Sequence, residues 1–179
     1  MANKQALRDL QTRLAERMQA ARTQPRGQSW LAVECRGHGL LLPLEQAGEI
    51  FALVPLLAVP HTQPWFSGVA NLRGGLHGVV DLASFLGLPE APAGEAGREQ
   101  ARLIALGVSL SLNAALLVDR LAGLRSLEQL RADVESGADA AAARPGFAPT
   151  RWRDADGRRW QALDLAVLAR DVRFLSIVA

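Results

Sequence analysis

At 179 residues, with 49% apolar and 21% charged side chains, the chain is long enough to bury one shared core and too apolar to be disordered throughout. Its net charge of +2 hides an asymmetry: residues 1 to 26 carry +4 and the remainder −2, so charge gives the folded part no case for nucleic-acid binding. The longest apolar runs, Leu53 to Pro60 and Leu112 to Val118, fall far short of the roughly 20 residues a bilayer span needs, and the N-terminus shows no secretory pattern, so a cytoplasmic protein without membrane insertion is expected.

Residues 3 to 22 read as a helix, because Leu7, Leu10, Leu14, Met18 and Ala21 recur at spacings of three and four, and Thr23, Pro25 and Gly27 then stop it. This amphipathic helix and linker, residues 1–26, form an extension ahead of a main domain at 27–179. Three roles stay open for its apolar stripe: docking on its own domain, binding a partner or weakly self-associating, and touching an anionic membrane surface.

Three short strands follow at Trp30 to Cys35, Gly39 to Pro43 and Glu49 to Val54, the first two joined by a turn at Arg36-Gly37-His38-Gly39. Cys35, the single cysteine, excludes an intramolecular disulfide and a multi-cysteine zinc site and reads as a buried, inert thiol. Strands Ser67 to Leu72 and Leu76 to Val80 flank Arg73-Gly74-Gly75, where Gly74 and Gly75 allow positive φ and close strand approach and Asn71 can bond its neighbouring backbone. Asp81 is placed to cap a helix at 82 to 86, which Gly87 and Pro89 end.

The stretch 89 to 100 has no apolar period and reads as a surface loop. Strands resume at Arg102 to Val108 and Asn113 to Arg120, and Leu121 to Ser126 extends the sheet. Leu127 to Val134 reads as a short helix or turn, and Glu135 to Ala143 as a loose insertion. A hairpin then runs Thr150 to Asp154 and Arg158 to Ala162, and Asp164 opens a helix to about Arg170. Many short strands with few short helices favour closed or nearly closed barrels over a doubly wound fold.

The chemistry of a catalyst is missing. His77 and Asp81 are four apart but belong to a strand and a helix cap, and neither Ser67 nor Ser84 sits in a nucleophile elbow. Three scattered histidines match no metal-ligand spacing, and GVANLRGG lacks the spacings of phosphate-binding loops, so neither metal nor cofactor is expected. Arg151 to Trp160 interleaves tryptophans with arginines, but two aspartates dilute the charge and a hairpin would leave those arginines on a solvated face.

The run Pro64, Phe66, Gly68-Val69, Asn71-Leu72-Arg73-Gly74 and Val80-Asp81-Leu82 resembles the signature of the CheW domain, in kind and in order. Upstream, QSWLAVECRGHGLLLPLEQAGEI follows the family's plan with Glu49-Ile50 as its Glu-Ile pair. Downstream, Ala114 to Asp119 and Leu163-Asp164-Leu165 fit its second half, with Ala115 where the family has glycine. The likeness covers about residues 28 to 171. It implies a mainly β fold of two intertwined five-stranded SH3-like barrels, subdomain 1 at about 36–100 and subdomain 2 at about 101–160 plus the strand 28–35.

The resemblance further implies a non-enzymatic adaptor between a methyl-accepting chemoreceptor and a histidine kinase regulatory domain. The basic N-terminal helix and the closing RDVRFLSIVA are most similar to coupling proteins of type IV pilus twitching systems. Glu49, Ile50, Asn71 and Arg73 become the expected partner-binding residues, and Gly68, Gly74, Gly75 and Asp81 the structural ones. For Arg73, contact with a partner and pinning of the turn stand as equal readings. The alternative function is a regulator that keeps this fold but takes another partner or a small ligand in the groove between barrels, where Ala47 and Ala115 would leave room.

Overall fold

The computed structural model describes residues 29–89, 98–133 and 145–179. The N-terminal helix and the insertion 135 to 143 lie outside them, as does most of the loop expected at 89 to 100. Eleven strands are described: β1 (Ser29–Cys35), β2 (His38–Pro43), β3 (Ala47–Ala52), β4 (Phe66–Leu72), β5 (Gly75–Asp81), β6 (Arg102–Leu106), β7 (Ala114–Val118), β8 (Arg120–Ser126), β9 (Leu130–Ala132), β10 (Arg151–Asp154) and β11 (Arg159–Ala162). Three one-turn helices accompany them: α1 (Leu82–Phe85), α2 (Leu165–Leu168) and α3 (Val172–Leu175).

The strands form two curled sheets, consistent with the mainly β, two-barrel reading. One runs β8-β1-β2-β11-β10-β9 and the other β3-β6-β7-β5-β4. The first has six strands rather than five, because the stretch expected as a helix or turn at 127 to 134 makes one 3-10 turn and then pairs as β9 with β10. Sheet membership does not divide the chain at residue 101. β2 stays with its hairpin partner β1, while β6 and β7 join β3 to β5.

The chain changes sheets twice, between β2 and β3 and again at Asp119. The expected single strand from Asn113 to Arg120 is broken there, with the Asp119 N–H donating to the Glu34 carbonyl. Side chains at both crossings are spent on backbone. Gln46 Oε1 accepts from the N–H groups of Leu165 and Ala166 at the start of α2, and Asp119 Oδ2 accepts from the N–H of Arg36.

Strand periodicity sorts the apolar residues into three clusters. Leu31, Val33 and Cys35 of β1 face a shared core with Ile104 and Leu116, while Trp30 and Ala32 face the interior of the first sheet with Leu41 and Trp160. Ala70, Leu72, Val79, Leu103 and Ala115 fill the second sheet. Strands buried on both faces explain the unbroken apolar runs in the sequence. Burial and the nearby Asp119 carboxylate push the Cys35 thiol well above its usual range, so it stays protonated.

Helix α3 was not expected from the sequence. Asp171 caps it by accepting from Arg173 and Phe174, and Phe174 is buried and stacks on Trp65 with ring centroids 6.4 Å apart. The last residues then pair with the loop before β4, Gln63 N–H donating to Ile177 and Ala179 N–H to His61.

Candidate functional site

The second sheet closes where its edge strand β4 meets the segment after β3. Leu57 and Val69 exchange both backbone hydrogen bonds, at 2.8 and 2.9 Å. Gly68 makes this approach possible: its φ is +120°, and a Cβ there would collide with the Leu57 carbonyl oxygen. The expected structural role of Gly68 thus has a concrete cause.

Beyond it, β4 and β5 are joined by the two-residue turn Arg73-Gly74, since Leu72 pairs with Gly75. Both turn residues are left-handed, Arg73 at φ +49° and Gly74 at +85°, as the favoured hairpin turn requires. Gly75 was expected to share that role but begins β5 without positive φ; its bare Cα leaves space for the His77 ring, which a Cβ would meet at 3.1 Å. Asn71 Oδ1 accepts the Gly74 N–H at 2.8 Å, so it stabilises the turn directly.

Glu49 reaches the same place from the opposite edge of the sheet. The register of β3 against β6 shifts between Ala47 and Ile50, a bulge that re-aims the local side chains. Glu49 Oε1 lies 2.7 Å from Arg73 Nη2, with side chains 41% and 76% exposed. The Arg73 guanidinium is therefore paired with Glu49, another residue of the expected site. So exposed a pair contributes about 0–1 kcal/mol. Ile50 on edge strand β3 and Leu76 on β5, the latter opposite Asn71 in the ladder, are exposed apolar residues. The structure thus brings Glu49 and Arg73 into contact, with Ile50 next to Glu49 in the chain and Asn71 holding the turn that carries Arg73.

Asp81 behaves as expected, accepting from the Ser84 N–H and hydroxyl at 3.0 Å each. It also joins a cluster that sequence reasoning missed. Arg36 donates to the Leu88 carbonyl at 2.7 Å and to Ser84 Oγ at 2.8 Å, and lies 4.0 Å from Asp81. This ties the β1–β2 turn to α1. The signal was present as Arg36-Gly37, the same dipeptide as at 73-74, but its partners lie some fifty residues away.

Buried Glu34 accepts from Arg120 at 2.7 and 2.8 Å and from Arg158 at 2.7 Å. Burial pushes its carboxyl up, yet the hydrogen bonds and charges of the two arginines outweigh that and leave it below the usual carboxylate range. Of the four arginines expected on a solvated hairpin face, three pair with carboxylates, Arg158 with Glu34 and Arg153 and Arg159 with Asp133, while Arg151 donates to Gln161 Oε1. Trp160 is buried and donates to Asp154.

A groove of about 670 Å³ lies between β2, β11 and the residues following α1, lined by Leu40, Leu86, Leu88, Phe147 and Leu163 among others. Ala115 does not reach it, being enclosed in the second sheet, and Ala47 is not among its walls. The room expected from those two alanines is therefore not in this groove. Among the described residues no three His, Cys, Asp or Glu side chains gather as a metal site, and no helix is long and apolar enough to cross a membrane.

A family model for the CheW-like domain matches residues 29–173, so the chain belongs to that family, a class of coupling and scaffold proteins in chemosensory signalling. Within it, the chain is 32% identical over 100 residues to Protein PilI of Pseudomonas aeruginosa, a stretch covering 55% of this chain and 53% of that protein. The chain thus matches about half the length of this curated relative. Its fold is also similar to the crystal structure of scaffolding protein TtCheW from Thermoanaerobacter tengcongensis, with TM-score 0.64 and 16% identity over 84% of this chain and 97% of that one.

Proposed function

We propose that the chain couples a methyl-accepting chemoreceptor to the regulatory domain of a histidine kinase, in a chemosensory pathway controlling type IV pilus twitching. The observation that carries this reading is the Glu49–Arg73 pair. Two residues from opposite edges of one sheet are held together at 2.7 Å, yet remain exposed enough that fold stability gives little reason for them. With Ile50 and Leu76 they offer a fixed charge pattern on an apolar rim, a composition that suits reversible protein recognition. The pilus branch rests on the likeness to PilI and on the basic N-terminal segment. Residues 27–179 are read as the coupling module and 1–26 as an appended arm.

The test uses the full chain with the chemosensory kinase and receptor of the same genome, read by isothermal titration and co-elution. Wild type is expected to bind both, and Arg73→Glu to weaken at least one about tenfold, or about 1.4 kcal/mol. Failure of the wild-type chain to bind either protein would overturn the reading.

A further inference from the structure

A second groove, of about 800 Å³, opens at the other end of the first sheet, where β1 begins and β2 and β11 finish. Its walls include Trp30, Leu44, Trp152 and Leu163, with Glu45 and Asp164 as charged members; none of its lining residues among those described is a lysine or arginine. Leu44 is 41% exposed, a large apolar side chain facing water. The indole N–H groups of Trp30 and Trp152 have no acceptor among the described residues, and Trp30 itself is only 8% exposed. Buried donors left unanswered cost free energy, so this wall is incompletely satisfied as it stands.

We propose that this groove is the docking site for the chain's own N-terminal segment, residues 3 to 22. Ser29, where the described chain begins, lines the groove, so the preceding residues reach it from its rim. The linker 23–28 spans at most about 20 Å when extended, enough to turn the segment back onto the groove. The segment offers an apolar stripe of Leu7, Leu10, Leu14 and Met18 to the exposed Leu44 and the tryptophans. Its net +3 complements the two carboxylates of the lining, which among the described residues has no lysine or arginine. Gln11, beside the stripe, supplies an acceptor of the kind the indoles lack.

The experiment is trypsin digestion of the full chain, timing cleavage after Arg8, Arg13, Arg17 and Arg22 against a synthetic peptide of residues 1–26. Docking predicts at least tenfold slower cleavage in the chain than in the peptide, independent of protein concentration. Leu44→Glu in the groove and Leu10→Glu in the segment should each remove the protection, with circular dichroism melts showing that both variants stay folded. Cleavage at the peptide's rate would overturn the proposal. Protection that grows with concentration would also overturn it by assigning the groove to a second copy, and protection that survives Leu44→Glu in a folded chain would place the segment elsewhere.

Discussion

The β1–β2 and β4–β5 hairpins both turn on an Arg-Gly dipeptide with left-handed backbone, Arg36-Gly37 and Arg73-Gly74, both arginines at φ +49°. Their surroundings differ. Arg36, with a side chain 25% exposed, is anchored to Leu88 and Ser84 and has its own N–H held by Asp119. Arg73, 76% exposed, meets Glu49, itself 41% exposed, at the edge of its sheet. Identical turn chemistry therefore serves assembly of the fold in one sheet and leaves a charged side chain outward in the other. What separates them is the neighbour: the first turn abuts α1, and the second abuts solvent.

The comparison predicts unequal costs. Arg36→Ala removes charge-assisted hydrogen bonds to a carbonyl and a hydroxyl in a partly buried site, and should destabilise by about 1.5–3 kcal/mol in urea unfolding. The matching Arg73→Ala variant keeps the same left-handed alanine strain, so subtracting the two isolates the contacts from the backbone. Equal losses for the two would break the distinction.

Next in size is Glu34, whose carboxylate holds Arg120 and Arg158 beside the Arg36 turn. Its carboxyl titrates lower in the fold than in the unfolded chain, so the unfolded chain binds more protons between the two values. The stability it supplies is complete above the ordinary carboxylate value of 4.5 and is lost as pH falls through the folded value. Glu34→Gln should cost about 1–2 kcal/mol near neutrality and flatten the acid limb of stability against pH. Parallel curves for wild type and variant would show that another carboxylate sets that limb.

These contacts also mark how far sequence could be read. Local patterns were legible: the alternation in β1, the caps at Asp81 and Asp164, and the final hairpin all follow from residues within a turn of each other. The two-barrel plan and the expectation of a partner-binding role for Glu49 and Arg73 came through resemblance, but the contact between these two residues did not, because it closes a sheet across 24 positions. Which sheet β2, β6 and β7 join could not be read from local pattern. Their apolar runs are alike, and only the crossings at Gln46 and Asp119 decide their assignment. Arg36 and Glu34 were passed over because an arginine or glutamate in a strand or turn reads as solvated until distant partners are known.

The smallest expected change in stability belongs to Arg73 and carries the sharpest functional consequence. Arg73→Ala or Glu49→Ala should alter unfolding free energy by no more than about 1 kcal/mol, since the pair is exposed and screened. Reversing both charges, Glu49→Arg with Arg73→Glu, would preserve the ion pair while inverting the pattern offered outward. If the pair acts only within the barrel rim, the double variant should behave as wild type in kinase and receptor titrations. If the pair is read by a partner, the double variant should remain as weak a binder as Arg73→Glu alone while unfolding like wild type, a combination that a purely structural role cannot produce.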